Sequence, residues 1–358
     1  MAQFYPLTVT DVQRDTRDAV VVTLTPDEHD AQHFAYSPGQ YLTLRKTFDG
    51  NELRRSYSIC ASAKDKALRV GIKRVRGGWF SSWANESLAP GERIEAMPPA
   101  GRFCAPLDAT EARNYLLFAI GSGITPILSV AKSILETEPH SRIILTYANR
   151  AFNTIMFREA LSDLKDLYLD RLTVLHVLKN DAGDIDLLNG RIDADKLDAL
   201  FRQWMDPRAA DLAYICGPQP LMEVITERLE AAGMERSRIR FELFASTPAK
   251  RPMPVADEDA EAHRVKASVI LDGQTRSFPM RRGETFLDAA LKADVELPFS
   301  CRGGVCSTCC ARVVTGEVEM QTNYALEDYE VDRGLVLTCQ ALALSDELTI
   351  SFDDRDSD

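Results

Sequence analysis

The sequence predicts a multidomain protein in which an antiparallel β-barrel is followed by a parallel α/β domain and a small C-terminal module. Three observations support this prediction. Short β-branched runs separated by Pro-Gly, Asp-Gly and Gly-Gly turns fill residues 4–104, and apolar strands alternate with helical periods after residue 113. Five of the eight cysteines fall within the last 60 residues. A chain of 358 residues has room for two or three domains.

Each predicted domain has its own pattern. Several short strands at close spacing favour an antiparallel barrel or sandwich. These runs occupy residues 7–9, 19–24, 41–44, 56–60 and 68–73. An apolar strand followed by a helical period indicates a parallel sheet covered on both faces. The strand–helix pairs are 115–120 with 127–135, 142–147 with 157–165, and 213–216 with 222–232.

A linker is predicted at residues 247–264, where prolines and charged residues occur without apolar periodicity. The predicted boundaries are therefore 1–108 for the barrel, 109–246 for the α/β domain and 265–358 for the C-terminal module. That module carries 9 basic and 17 acidic residues, a net charge of −8. Its acidic surface either steers a partner or is simply solvated.

Composition excludes several classes of protein. Hydrophobic residues make up 45% of the chain and charged residues 27%, as in an ordinary globular protein. A net charge of −12 argues against nucleic acid or an anionic membrane as partner. No apolar run of 18 residues and no signal peptide is present, so we expect a cytoplasmic protein without a membrane span. In that reducing compartment the cysteines are expected to be thiols or metal ligands.

The strongest motif is the cysteine spacing near the C-terminus. Cys301, Cys306 and Cys309 are separated by four and two residues, and Cys339 follows after 29 more. This is the spacing of a plant-type [2Fe–2S] site, in which four thiolates hold two irons. A tetrahedral zinc site built from the same four cysteines is the alternative. Cys310 is surplus and complicates the choice of the third ligand.

A glycine-rich turn points to nucleotide binding in the α/β domain. Gly121 and Gly123 follow a predicted strand, and Pro126 suits the first turn of the next helix. Such a turn directs N–H groups and a helix N-terminus at a pyrophosphate. The third glycine of the usual fingerprint is absent, so an ordinary tight turn is the alternative. A second turn, at Cys216, Gly217 and Pro218, is expected at the same sheet edge.

Arg150 follows the strand between these two turns. A carboxylate there would bind the ribose 2′-hydroxyl of NAD, whereas an arginine suits the 2′-phosphate of NADP. A solvent-facing loop charge is the alternative.

A third motif lies in the barrel, where Arg55, Tyr57 and Ile59 share one face of a strand. An arginine for phosphate, an aromatic ring for stacking and the hydroxyl of Ser58 are groups that a flavin needs. Gly78 and Ser81 offer N–H groups and a hydroxyl to a pyrophosphate. A plain β-hairpin with a surface arginine is the alternative.

In this order, the motifs resemble the ferredoxin–NADP reductase superfamily fused to a C-terminal plant-type ferredoxin. Stretches 48–55, 215–218 and 319–327 are similar to the reductase components of ring 1,2-phenylacetyl-CoA epoxidases. The resemblance implies an antiparallel FAD-binding β-barrel, a parallel α/β NAD(P)H-binding domain and a β-grasp-like ferredoxin domain. The choice of FAD over FMN rests on this resemblance alone.

The resemblance also assigns residues to roles. Catalytic roles fall to Ser58, Cys216 and Phe244, the last as an aromatic cover for the flavin ring or, alternatively, a core phenylalanine. The cofactor-binding residues are Arg55, Tyr57, Ser58, Ile72, Lys73, Gly78, Ser81, Gly121, Gly123, Thr125, Pro126, Arg150, Cys216, Gly217 and Pro218. The metal ligands are Cys301, Cys306, Cys309 and Cys339.

The expected function is an NADPH-dependent reductase that passes electrons through FAD and a [2Fe–2S] cluster to the diiron oxygenase subunits of a multicomponent oxygenase, which act on phenylacetyl-CoA. A reductase of a Rieske or steroid hydroxylase is one alternative. A non-catalytic iron–sulfur redox sensor is another, but it leaves the flavin and nucleotide motifs without a purpose.

Overall fold

The computed structural model describes residues 3–65, 67–104, 106–181, 183–244, 264–326 and 328–354. The chain forms two compact units. We call Phe4–Phe244 the N-terminal unit, and the described residues from Arg264 onward the C-terminal unit. The predicted linker, residues 247–264, lies outside the described residues except for Arg264, which begins a strand.

In the described residues of the first domain of the N-terminal unit, six antiparallel strands occur with one α-helix, α1 (Trp79–Glu86). The strands are β1 (Tyr5–Thr16), β2 (Ala19–Pro26), β3 (Tyr41–Phe48), β4 (Asn51–Ser58), β5 (Leu68–Lys73) and β6 (Arg93–Ala96). They are ordered β4-β3-β6-β1-β2-β5. A bridge between Ile59 and Val70 joins the two edges. The predicted antiparallel barrel is therefore confirmed.

The barrel strands differ in length from the sequence expectation. β4 begins at Asn51, earlier than the predicted run of residues 56–60. The reason is the turn at Asp49 and Gly50, both with positive φ, which pairs Phe48 directly with Asn51. A tight hairpin of this kind carries the ladder on to Ser58 and determines which side chains of β4 face the core.

The described part of the second domain contains five parallel strands and four α-helices. The strands are β7 (Asn114–Ile120), β8 (Arg142–Asn149), β9 (Leu172–Leu178), β10 (Leu212–Gly217) and β11 (Ile239–Leu243). The helices are α2 (Ile124–Thr137), α3 (Arg158–Leu167), α4 (Ala194–Gln203) and α5 (Gln219–Ala231). The order β11-β10-β7-β8-β9 places the topological switch point between β7 and β10. Ligands of open parallel sheets bind at such a point.

The barrel and the parallel sheet share one hydrophobic core within the N-terminal unit. Ala19 and Cys60 of the barrel belong to the same buried cluster as Ile127 and Tyr147. The hydroxyl of Ser129 also donates a 2.6 Å hydrogen bond to a barrel carbonyl. These contacts hold the carboxyl ends of the parallel strands in a defined position beside the barrel.

The C-terminal unit is a mixed sheet packed against a helix. Its strands are β12 (Arg264–Leu271), β13 (Gln274–Arg281), β14 (Cys310–Thr315), β15 (Val318–Met320), β16 (Leu335–Leu337), β17 (Ala341–Ala343) and β18 (Glu347–Ser351). The larger sheet has the order β13-β12-β18-β14-β16, with only β12 and β18 parallel. Its helices are α6 (Phe286–Lys292) and α7 (Asp328–Asp332). This arrangement confirms the predicted β-grasp-like module.

Among the described residues, none of the helices has the length and apolarity required to cross a membrane.

Candidate functional site

Two glycine turns meet backbone to backbone at the carboxyl ends of β7 and β10. A Cβ atom added to Gly123 would lie 2.2 Å from the carbonyl oxygen of Cys216. A Cβ atom on Gly217 would lie 2.7 Å from the Cβ of Ile120. Both positions therefore require glycine. The structure brings the two predicted turns together at the switch point, where a dinucleotide pyrophosphate is expected.

A hydrogen bond between neighbouring residues stabilises the first turn of α2. The hydroxyl of Thr125 donates to the carbonyl of Ser122 at 3.0 Å, and Thr125 and Pro126 are both buried. Their side chains thus shape the first turn, where the backbone N–H groups that carry no partner within the turn are the donors that such a turn offers to an anion. Pro218 precedes α5 in extended conformation at the neighbouring strand end.

Arg150 lies directly after β8, beside the turn of β7. Its side chain is 67% exposed, and its guanidinium lies 3.7 Å from the carboxylate of Asp18 in the barrel. An exposed ion pair of this length contributes little stability. The guanidinium therefore remains available to an incoming phosphate.

The two adjacent arginines of the predicted flavin motif differ in burial. Arg54 is buried and paired with Glu52 at 2.7 Å, whereas Arg55 is exposed. Tyr57 is half-buried, with its ring 5.6 Å from that of Phe80. Arg55 and Tyr57 therefore present groups to a ligand on one face of β4.

The remaining predicted flavin-binding residues of the barrel, Ile72, Lys73, Gly78 and Ser81, differ in what they can offer to a ligand. The side chain of Ile72 lies in the barrel core, so only its backbone can meet a ligand. Lys73 is half-buried, and this burial lowers the pKa of its ammonium group. The hydroxyl of Ser81 accepts from the N–H of Val75 at 3.0 Å and donates to the carbonyl of Gly78 at 3.2 Å. Ser81 thus braces the loop that leads into α1.

Glu242 is a candidate site residue that the sequence analysis missed. The hydroxyl of Ser58, which is buried, lies 3.2 Å from Oε2 of Glu242 on β11. Burial raises the pKa of Glu242 to about 8, although the hydrogen bond from Ser58 opposes this rise. A perturbed carboxyl beside a predicted catalytic serine indicates a functional site. The available signal was a lone carboxylate within the apolar segment 241–244.

Cys216 and Phe244 lie near this pair. Cys216 is fully buried, and desolvation together with the charge of Glu242 raises the pKa of its thiol. The backbone N–H of Phe244 donates to the carbonyl of Gly217 at 3.2 Å, and its half-buried ring packs against the core cluster that contains Cys216. The three predicted catalytic residues thus belong to one region of the N-terminal unit.

The four predicted metal ligands form two pairs in the C-terminal unit. The thiol of Cys306 donates to Cys301 and lowers the pKa of Cys301. Likewise, the thiol of Cys309 donates to Cys339 and lowers the pKa of Cys339. Each pair could supply the two thiolates that one iron of a [2Fe–2S] cluster requires. Cys310 begins β14, and it is the thiol of Cys309 that contacts Cys339, so the geometry favours Cys309 as the third ligand of the set.

The spacing of the sulfurs argues against a single zinc ion. Around one tetrahedral zinc, every pair of thiolates would be about 3.8 Å apart, given its bond lengths. Within the part of the chain that the structure describes, no three of these sulfurs lie within 4.8 Å of one another. The donor set therefore fits two irons bridged by sulfide.

The cysteine loop curls around this set. Arg302, Gly304 and Ser307 all have positive φ. A Cβ atom on Gly304 would lie 2.7 Å from the carbonyl oxygen of Thr322. The backbone N–H of Gly303 donates to the sulfur of Cys301 at 3.3 Å, and the N–H of Cys301 donates to the sulfur of Cys306 at 3.4 Å. Such donors stabilise thiolates and tune the potential of a cluster.

Comparison with known proteins accounts for each domain. Residues 6–104 match the oxidoreductase FAD-binding domain, residues 117–227 the oxidoreductase NAD-binding domain, and residues 269–344 the 2Fe-2S iron-sulfur cluster binding domain. The fold and site thus define a flavin- and iron–sulfur-dependent oxidoreductase, which contradicts the sensor alternative.

Relatives that match nearly the whole chain show which kind of oxidoreductase this is. The chain is 41% identical, over 99% of both chains, to one of the subunits of the 1,2-phenylacetyl-CoA epoxidase of Escherichia coli. It is 36% identical to the ferredoxin reductase component of 3-ketosteroid-9-alpha-monooxygenase of Rhodococcus rhodochrous, over 97% of this chain and 96% of the relative. The structure of phthalate dioxygenase reductase shares the fold, with 24% identity, 98% coverage of both chains and a TM-score of 0.59. The chain belongs to this family of electron-transfer reductases of oxygenases.

Proposed function

We propose that this reductase takes electrons from NADPH and delivers them to the diiron oxygenase subunits of a phenylacetyl-CoA epoxidase. The full-length 41% identity to a component of the Escherichia coli epoxidase carries this proposal. The proposed domain roles follow the predicted boundaries, with FAD in 1–108, the nucleotide in 109–246 and the cluster in 265–358. A cytoplasmic location suits this chemistry because reduced thiols are needed as iron ligands.

The residues of the chain bind and orient the groups that react. The Gly121–Gly123 turn and the start of α2 supply N–H groups for the pyrophosphate of the nucleotide. Arg55 and Tyr57 supply a cation and an aromatic ring for FAD, and the two cysteine pairs supply thiolates for the cluster. When bound, FAD accepts a hydride from the nicotinamide, and the cluster carries single electrons.

Ser58 and Glu242 are suited to hold a proton at this site. Burial raises the pKa of Glu242 above that of an exposed carboxyl, so Glu242 keeps its proton to higher pH. Its Oε2 and the hydroxyl oxygen of Ser58 are 3.2 Å apart and can share that proton. A carboxyl whose pKa is raised toward the working pH is a more efficient proton donor and acceptor than an ordinary one.

The function is tested by following the visible spectrum of the purified protein without oxygen. Addition of NADPH should bleach both the flavin and the iron–sulfur bands. The reduced protein is then mixed with the oxygenase subunits of the Escherichia coli epoxidase and phenylacetyl-CoA, and product formation is measured. Bleaching without product formation would overturn the proposed partner. Bands that neither NADPH nor NADH bleaches would overturn the reductase function itself.

The preference for NADPH depends on Arg150. Arg150→Ala should raise KM for NADPH about tenfold, because a charge-assisted hydrogen bond to phosphate contributes about 1.5 kcal/mol or more. KM for NADH should stay unchanged because that nucleotide has no 2′-phosphate. Equal effects on the two nucleotides, or no effect on either, would contradict this role.

A steroid monooxygenase is the second candidate partner, favoured by the 36% identity to the Rhodococcus reductase. The same reduced protein, mixed with the 3-ketosteroid-9-alpha-monooxygenase oxygenase and a 3-ketosteroid, distinguishes the two. Faster turnover with the steroid system would replace the epoxidase as the proposed partner.

A further inference from the structure

A buried tyrosine contacts the first glycine of the nucleotide-binding turn. Tyr147 lies on β8, and its side chain is fully buried. Its hydroxyl donates to the carbonyl oxygen of Gly121 at 3.1 Å and lies 3.4 Å from the carbonyl oxygen of Met156. Gly121 has a φ of +56°, a conformation that glycine adopts readily. The hydroxyl of Tyr147 thus contacts the turn at a residue with left-handed backbone conformation.

This contact determines the direction of a neighbouring N–H group. In a trans peptide the C=O and the following N–H point in opposite directions. The carbonyl of Gly121 is held inward by the hydroxyl of Tyr147 and also accepts from the N–H of Ile124. The N–H of Ser122 therefore points away from Tyr147, toward the side of the turn where the pyrophosphate is expected.

The other carbonyl beside this hydroxyl is itself anchored to the barrel. Met156 precedes Phe157, whose N–H donates to both carboxylate oxygens of Asp15 at 3.0 and 3.1 Å. Phe157 has a φ of +57°, which is costly for a bulky residue and indicates a tightly restrained segment. Tyr147 therefore connects the glycine turn to a segment that cannot easily move.

We propose that Tyr147 is a positioning residue for the pyridine nucleotide, which holds the peptide between Gly121 and Ser122 in the orientation that receives the pyrophosphate. This inference rests on the proposed function, because it concerns how the same turn binds its substrate. It adds a determinant of nucleotide affinity that does not contact the nucleotide.

Tyr147→Phe removes the hydroxyl and keeps the ring. We expect KM to rise about fivefold for NADPH and for NADH alike, the effect of one net hydrogen bond. Both nucleotides carry the pyrophosphate, so their KM ratio should not change, in contrast to Arg150→Ala. Turnover with ferricyanide as electron acceptor should keep its kcat, because the loss of uniform binding affects KM alone. FAD content, measured from the visible spectrum, should also be unchanged.

Tyr115→Phe is the matched control. Tyr115 is also fully buried in the parallel sheet, but its hydroxyl donates to Glu138 at 2.8 Å, near the amino end of β7. This variant should lose stability without any rise in KM for either nucleotide. An equal rise in KM in both variants, or an unchanged KM in Tyr147→Phe, would overturn the proposal.

Gly121→Ala gives a second, independent test should Tyr147→Phe fail to fold. No atom lies within 4 Å of an added Cβ at Gly121, so the alanine strains only the left-handed backbone. We expect the same rise in KM for both nucleotides, and an unchanged KM would overturn the proposal. The wild type is measured first. If neither nucleotide bleaches its flavin, the proposed function has failed. If a nucleotide does bleach the flavin, the KM of the variants for that nucleotide tests the role of Tyr147.

Discussion

Replacing Glu242 with glutamine should make the stability of the N-terminal unit less dependent on pH. Burial raises the pKa of Glu242 from its ordinary value of 4.5 to about 8. Between these two values the unfolded chain releases the proton while the folded chain retains it. Stability therefore falls as pH rises through this window, and the loss is complete above pH 8. Glutamine cannot ionise, so the variant escapes this loss.

The loss of stability depends on the difference between the pKa of Glu242 in the unfolded chain and its pKa in the folded chain. At 1.36 kcal/mol per pH unit, a rise from 4.5 to about 8 sets an upper bound of about 5 kcal/mol. Glu242 is only half-buried, and solvent near a partly exposed group screens its charge, so we expect about 1 to 2 kcal/mol. The amide oxygen of glutamine can still accept the hydrogen bond from Ser58, so this contact should not be lost.

Thermal release of flavin fluorescence measures the unfolding of this unit. For a unit of this size, 1 to 2 kcal/mol corresponds to about 3 to 6 °C. The midpoint of Glu242→Gln should exceed that of the wild type by about this amount more at pH 8.5 than at pH 4, which lies below both pKa values. Glu227→Gln, an exposed change on α5, serves as the control and should shift the midpoint equally at both pH values. A shift in Glu242→Gln that is the same at both pH values would refute the argument from burial.

Two further predictions concern the glycine turn and the cluster. Gly123→Ala places a Cβ atom 2.2 Å from the carbonyl oxygen of Cys216 and should cost about 1 to 3 kcal/mol, measured by the same flavin-release assay. It should also weaken nucleotide binding, and a variant with wild-type stability and KM would contradict the close approach of the two turns. Cys306→Ser should lose the iron–sulfur bands and the delivery of electrons to the oxygenase, while NADPH still bleaches the flavin. Delivery that survives this change would show that electrons leave by another route.

The sequence was informative wherever the signal is local. The change from short β-branched runs to strand–helix alternation near residue 113 predicted the two domains of the N-terminal unit, because periodicity depends on neighbouring residues only. Three of the four predicted cysteine ligands lie within nine residues, between Cys301 and Cys309, so their spacing alone indicated a two-iron site. Asp49 and Gly50 likewise marked a turn that the structure contains.

The sequence did not predict contacts between residues that are far apart in the chain. Ser58 and Glu242 are 184 residues apart, and no pattern near either residue indicates the other. The hydroxyl of Tyr147 likewise reaches Gly121 across 26 residues of chain. Burial in the parallel sheet predicted only that Tyr147 belongs to the core, because periodicity indicates which side a residue faces but not which atom it meets.

The sequence and the family resemblance of its motifs therefore predicted the domain order, the fold of each domain and the chemical type of each site. Tertiary structure alone decided that a carboxyl on β11 faces the serine of β4, and that two glycine turns touch at the switch point. The physical reason is that propensity and spacing act over a few residues, whereas these contacts arise from packing a barrel against a parallel sheet around one shared core.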